Sequence, residues 1–386
     1  MSFYKGYKIR LFPTPEQEEL MWEHIRACRT IWNLMIEKQN EQQAIDGKYI
    51  GEFDMINMLT DLKKQEEYKW LTKVSNASLT QTCRELHRAY TLFFKGIFKH
   101  PQFKSYKDRR KYSFPLTQIK IDMYFVDENY VKVPKMKRIK YKSDFKFGFG
   151  RTAEQFTNPR ISYKNGKWIL SVNRLEENTD KKELSDKTMG IDLGIRKLAV
   201  ASFGNEIFEF GNINKSRRVR KLETKMKHYQ RLIQRKLRQN GGLESNNLQK
   251  IRTKFRKVCA KLSNIRLNYT HQTTTFLVNK LPMRVVMEDL QITKLMKNKS
   301  ATKQISNQRW KEFVRQMEYK CQRKGIEFIL ADRYFPSSQI CSSCGFVYKK
   351  ASDGDEFWIC PNCKTRHNRD VNASINLMNY MVQGLY

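Results

Sequence analysis

Three acidic residues stand in segments that could carry them to a common site for hard metal ions. Asp192 lies in Met189-Gly190-Ile191-Asp192-Leu193-Gly194, ahead of the apolar Leu198-Ala199-Val200-Ala201. Glu288 closes the run Val285-Val286-Met287, and Asp370 opens Arg369-Asp370-Val371-Asn372-Ala373-Ser374-Ile375-Asn376-Leu377. The first two read as strand positions. The third reads as a helix start, where the dipole favours an ionised carboxylate. Hard divalent cations take oxygen ligands, so carboxylates are the side chains expected of such a site. Two such ions about 4 Å apart can activate water on one side of a phosphodiester and stabilise the leaving oxygen on the other. Any one of these acids alone reads as an ordinary strand end or helix cap. Asp289 competes with Glu288 for the functional place, or caps a helix. The three carry weight only jointly.

A second cluster is written in local spacing. Cys341-x-x-Cys344 is followed, after fifteen residues, by Cys360-Pro361-Asn362-Cys363. That is the spacing of a four-cysteine zinc site, and with all four positions filled it is structural rather than catalytic. Gly345 lets the first knuckle turn. Asp353-Gly354 supplies a turn, and Phe357-Trp358-Ile359 reads as a strand. His367, close by, reads as a polar surface residue rather than a ligand. Cys28, Cys83, Cys259 and Cys321 are scattered through helix-like segments. They fit buried free thiols in a reducing cytosol, not a disulfide framework.

The elements that must position these clusters belong to a long, strongly basic chain. Its 386 residues are enough for two or three domains, and 74 Lys and Arg against 39 Asp and Glu leave a formal charge of +35. Such a field repels itself and points to a polyanionic partner, with nucleic acid first. No apolar run is long enough to cross a bilayer, and the N-terminus lacks a signal-peptide core. Much of the charge lies in two helical segments. Residues 215–238 carry eleven Lys or Arg and the single acid Glu223, with an apolar stripe through Leu222, Met226, Tyr229, Ile233 and Leu237. After Asn240-Gly241-Gly242 a second basic helix is expected over 247–280. Together they predict an antiparallel hairpin presenting a basic face to phosphates. Arg217, Arg218, Arg220 and Lys221 are its candidate contacts, and binding should weaken steeply with salt.

Upstream, residues 8–12 alternate as a short strand. Thr14, Pro15 and Gln17 form a capping-box start for a helix that Gly47 can stop. A second helix is expected over 78–98. From about residue 112 the pattern changes to short strands, with alternation at Ile119 and Ile121 and at Val131 and Val133. Asn165-Gly166 forms a type I′ hairpin turn. Together these suggest a small barrel. Residues 175–187 read as a polar linker. Beyond it the order is strand, strand, helix pair, strand, helix, strand, zinc insertion, helix.

With these segments in hand, the chain resembles the TnpB family, transposon-encoded RNA-guided nucleases related to type V CRISPR effectors. The resemblance covers nearly the whole chain. It rests on Gly190-Ile191-Asp192-Leu193-Gly194, Met287-Glu288-Asp289-Leu290, Pro336-Ser337-Ser338-Gln339-Ile340-Cys341-Ser342-Ser343-Cys344-Gly345, Cys360-Pro361-Asn362-Cys363 and Arg369-Asp370-Val371-Asn372-Ala373-Ser374. It implies a multidomain α+β architecture. A wedge-like β-barrel (1–13 and 111–186) is interrupted by a helical recognition domain (14–110). An RNase H-like (RuvC) α/β nuclease domain follows (187–386), with a zinc ribbon (336–366) inserted.

The resemblance implies catalytic and magnesium-binding roles for Asp192, Glu288 and Asp370, with two ions, and zinc on Cys341, Cys344, Cys360 and Cys363. It implies a guide RNA from the transposon end and target DNA beside a short fixed motif. By position, that motif would be read near Asn76, Thr80, Gln81 and Thr117. A monomer in a prokaryotic cytoplasm, associated with the nucleoid, is expected. Asn368 departs from many relatives, which carry another acid there. Zinc removal is expected to unfold the ribbon and leave the acids in place. A non-cleaving RNA-guided regulator, a strand-joining transposase and a compact type V CRISPR effector remain the alternatives.

Overall fold

The computed structural model describes residues 2–105, 112–116, 123–150, 156–177, 183–290, 299–349 and 356–380. Its contacts divide the chain into two units, 2–177 and 178–386. The result is a mixed α/β protein. Among the described residues, no helix is long and apolar enough to cross a membrane.

The first unit runs β1 (Ser2–Phe12), α1 (Pro15–Asp46), α2 (Glu52–Leu62), α3 (Asn76–Phe94), β2 (Ser113–Pro115), β3 (Tyr124–Phe125), β4 (Tyr130–Val133), β5 (Lys137–Lys142), β6 (Phe156–Lys164) and β7 (Lys167–Glu177). The seven strands form one antiparallel sheet in the order β2-β6-β7-β1-β5-β4-β3. The sheet curls enough to bring its β3 edge against β6. Phe125 of β3 stacks on Phe147 at 4.3 Å and meets Phe156 of β6 edge-on at 5.2 Å. Asn165 and Gly166 have φ of 54° and 76°, as their tight hairpin requires.

The helices share a continuous core with the sheet, in which Ile9 and Leu11 join Met21, Ile25, Leu79 and Leu170. Thr14 and Gln17 close the capping box of α1, and Gly47 ends it at φ 71°. Two expectations need correcting. The helix expected to reach residue 98 stops at Phe94, because Gly96 at φ 68° turns the chain. Residues 175–177 are strand rather than linker, because Ser2–Tyr4 of β1 pair with their backbone. Local polarity is a poor guide on the solvent face of a sheet. Ile119, Ile121, Asp353 and Gly354 lie outside the described residues.

The second unit runs β8 (Thr188–Asp192), β9 (Lys197–Phe203), β10 (Glu206–Gly211), α4 (Arg217–Gln239), α5 (Asn246–Asn279), β11 (Arg284–Glu288), α6 (Lys299–Gln308), α7 (Trp310–Lys324), β12 (Glu327–Ala331), β13 (Phe357–Ile359), β14 (Arg366–Asn368) and α8 (Arg369–Met378). Five strands form a mixed sheet in the order β10-β9-β8-β11-β12. The first three make an antiparallel meander, and β11 runs parallel to both β8 and β12. β10 was not expected from the sequence. As an edge strand it is largely exposed, and its alternation is correspondingly weak. β9, buried along most of its length, has the continuous apolar run that β10 lacks. α4 and α5 form the expected hairpin, turning at Gly241 and Gly242 with positive φ. Arg266 of α5 pins it by donating to Glu223 at 2.6 Å and to Asn214 at 2.7 Å.

Candidate active site

The three acids reach their places by three different routes. In the parallel register of β8 and β11, Ile191 lies opposite Met287. Asp192 and Glu288 therefore follow side by side at the carboxyl ends of neighbouring strands. Asp370 arrives on α8, which packs across β8 where that strand has no side chain. A methyl group on Gly190 would stand 2.1 Å from the Ser374 carbonyl oxygen and 2.2 Å from the Met378 nitrogen. Only glycine lets the helix sit this close. A buried 2.7 Å hydrogen bond between the Ser202 and Ser374 hydroxyls holds the crossing from β9. At the near end, a Cβ on Gly194 would lie 3.9 Å from Asp370 Oδ2, so the loop after Asp192 lies close to the Asp370 carboxylate. Asn368 caps α8 by accepting from the Val371 amide at 3.2 Å. An acid at that position would serve the same end.

Bringing acids together has an electrostatic cost. Asp192 is pushed up to about 8, first by burial and then by repulsion from Asp370 and Glu288. Burial also raises Glu288. Arg369, the neighbour of Asp370, counters both shifts with its positive charge. Asp289 turns away to accept from the Arg333 guanidinium at 3.1 and 3.3 Å, so its place is an ion pair. A group whose ordinary form is anionic but which is held protonated by burial and like charge is a natural seat for a cation. All three side chains offer the oxygen donors that a hard ion requires.

The thiolate cluster differs in kind. Sγ of Cys341, Cys344, Cys360 and Cys363 all lie within 4.8 Å of one another, with 3.6 Å from Cys341 to Cys363 and 3.7 Å from Cys344 to Cys360. Four sulfurs at about 2.3 Å from a tetrahedral zinc would be about 3.8 Å apart, so the donors fit a structural zinc. Among the described residues these four cysteines form the one group of three or more His, Cys, Asp or Glu side chains found gathered as for a metal ion. Gly345 takes the positive φ of 74° that the knuckle needs. His367 is not the surface residue expected from its polarity. It is 7% exposed, packs its ring at a 36° tilt against Trp358 with centroids 4.8 Å apart, and puts Nε2 3.0 Å from Cys341 Sγ.

Other sequence candidates lie elsewhere. Asn76 and Thr80 line an 800 Å³ cavity in the first unit beside Arg84, Lys132, Lys135 and Lys137. Gln81 is not among its lining residues, and Thr117 lies outside the described residues. Arg217, Arg218, Arg220 and Lys221 are exposed at the start of α4. Gly190, Arg369 and the paired Asn372 and Asn376 were not singled out from sequence, and His367 was read there only as a surface residue. A glycine inside an apolar strand and asparagines four apart on one helix were the available signals.

Residues 310–377 match a profile described as the Cas12f1-like TNB domain, and residues 171–299 match one described as a probable transposase. Residues 1–48 match one described as a helix-turn-helix domain, although they form here one strand and one long helix. A Streptomyces pristinaespiralis protein named "Putative RNA-guided DNA endonuclease" is 29% identical over 374 residues, spanning 97% of this chain and 88% of its own. InsQ of Escherichia coli K12, named in the same words, is 28% identical across 98% of this chain and 92% of its own. Among solved structures, a chain in the cryo-EM structure of a Cas12f1–sgRNA–target DNA complex aligns over 98% of this chain and 99% of its own. Its TM-score is 0.57 at 14% identity, a likeness of fold.

Proposed function

The chain belongs to the TnpB family, and from that premise we propose that it is an RNA-guided DNA endonuclease cutting double-stranded DNA beside a short target-adjacent motif. The observation that carries this reading is the convergence of Asp192, Glu288 and Asp370 at the carboxyl ends of β8 and β11. On this reading 187–386 is a RuvC-like nuclease domain with a ribbon at 336–366. Residues 1–13 and 111–186 are a wedge-like barrel around the helical 14–110.

The chemistry asks little of the protein beyond position and charge. Asp192, Glu288 and Asp370 would hold two magnesium ions, which activate water and stabilise the leaving oxygen of the phosphodiester. Arg369 balances the acids, limiting their repulsion before the ions bind. Cys341, Cys344, Cys360 and Cys363 would hold zinc and keep the ribbon folded. α4 begins with Arg217, Arg218, Arg220 and Lys221, with no acid in its first turn. Cations at a helix N-terminus oppose the dipole, so this end of α4 favours an anionic partner such as a nucleic-acid phosphate. Sequence would be read by the guide RNA, while the protein holds the heteroduplex by shape and charge.

The test begins with protein expressed beside its native flanking DNA. Sequencing of the co-purified RNA should reveal one discrete species running from the element's end into adjacent sequence. That RNA then programs a cleavage assay in Mg²⁺. Asp192→Ala cutting at the wild-type rate would remove the acids from the mechanism. Guided binding without cleavage by the wild type would select a non-cleaving regulator, and strand-transfer products would select a transposase.

A further inference from the structure

α8 has two working faces. One packs on the sheet through Ser374 and Leu377 and brings Asp370 to its place. The other grips the stem of the zinc cluster. Asn372, 1% exposed, donates from Nδ2 to the Ile340 carbonyl at 2.7 Å and accepts at Oδ1 from the Ser342 amide at 2.9 Å. One turn on, Asn376 donates to the carbonyls of Ser337 and Ile340, both at 2.7 Å. The residues on either side of Cys341 are thus fastened to the helix that carries Asp370.

A second route joins the same two points. His367 Nε2 lies 3.0 Å from Cys341 Sγ, and the chain passes from His367 through the cap Asn368 straight into α8. The Arg369 amide is tied to the Glu356 carbonyl at 2.9 Å, just ahead of β13. A short helix moves as a rigid rod, and buried amides do not readily give up their partners. A shift of Cys341 must therefore be followed by α8 or leave those amides unsatisfied.

We propose that zinc on the four cysteines positions Asp370 for metal binding at the acid cluster, with Asn372 and Asn376 as the positioning residues. This rests on the reading of Asp192, Glu288 and Asp370 as a metal site. Zinc loss then disturbs the acids rather than leaving them in place. The two sites are coupled, and coupling is reciprocal.

The experiment uses the full chain and Mn²⁺ as the probe, with bound Mn²⁺ measured by electron paramagnetic resonance. Zinc-loaded protein is compared with protein stripped by a zinc-selective chelator and freed of it. Zinc removal should weaken Mn²⁺ binding about tenfold, within the usual range of such couplings. Saturating Mn²⁺ should tighten zinc by the same factor, which a merely structural role would not produce. Asn372→Ala with Asn376→Ala should retain zinc by elemental analysis and lose the coupling. If Asp192→Ala abolishes Mn²⁺ binding while zinc removal leaves wild-type binding unchanged, the coupling is overturned and the acid site stands. If Asp192→Ala leaves Mn²⁺ binding intact, the acid-site reading fails, and the coupling with it.

Discussion

The two candidate ligand clusters of the second unit are assembled by opposite routes. The thiolates come from one short stretch of chain around two knuckles, and their sulfurs stand nearly at zinc-binding distance. The carboxylates come from two strands and a helix far apart in sequence. Burial first, and then repulsion from Asp370 and Glu288, raise Asp192. One cluster is specified by spacing and the other by topology. The first is therefore gathered by its own stretch of chain, while the second also depends on residues such as Gly190 that offer no donor.

The largest effect expected from this contrast is on cleavage. Glu288→Gln should cost at least about a thousandfold in rate, several kcal/mol of transition-state stabilisation, yet leave zinc content unchanged. A matching loss of zinc would erase the distinction between the clusters. Next is Gly190→Ala, which places a methyl against the backbone of α8 rather than against a movable side chain. We expect about 3 kcal/mol of destabilisation, read by thermal melting, with Asp370 displaced. A neutral result would mean that the crossing of α8 and β8 is not tight.

A third test exploits the raised Asp192. Its folded-state pKa of about 8 lies above its unfolded value near 4, so the folded protein binds the extra proton between them. Without divalent metal, stability should therefore fall as pH rises from about 4 to about 8. Asp192→Asn should flatten that slope and stabilise the protein at pH 8 by about 2 kcal/mol. A slope that survives the substitution would place its origin elsewhere. The smallest effect concerns His367, whose ring lies against the Cys341 thiolate. Second-layer partners of this kind typically contribute tenfold or more to affinity, so His367→Ala should weaken zinc by about tenfold while the sheet melts as before.

The same contrast explains what the sequence could disclose. Cys341, Cys344, Cys360 and Cys363 were legible because their geometry is nearly fixed by spacing. Asp192, Glu288 and Asp370 stand out as candidates only as a set, because nothing local says that β11 pairs beside β8. Gly190 carries its meaning in a contact with α8 that no window around it contains. The burial of His367 depends on Trp358 across the β13–β14 pair, so polarity alone misjudged it. β10 and the end of β7 were missed for a common reason, since exposed strands alternate weakly and resemble loops.

β1 lies in the middle of its sheet, although it comes first in the chain among the strands of that sheet. It pairs along nearly its whole length with β7, joining Ser2 to Glu177, and on its other side with β5. During synthesis β1 must wait with both edges open until the rest of the unit has left the ribosome. Such long-range closure is slow, and an unpaired strand is an invitation to aggregate. Lys8 and Arg10, exposed between the buried Tyr7, Ile9 and Leu11, put charge on the waiting strand. Charge placed there is the kind that keeps an open strand from pairing wrongly while it waits for the last strand of its unit.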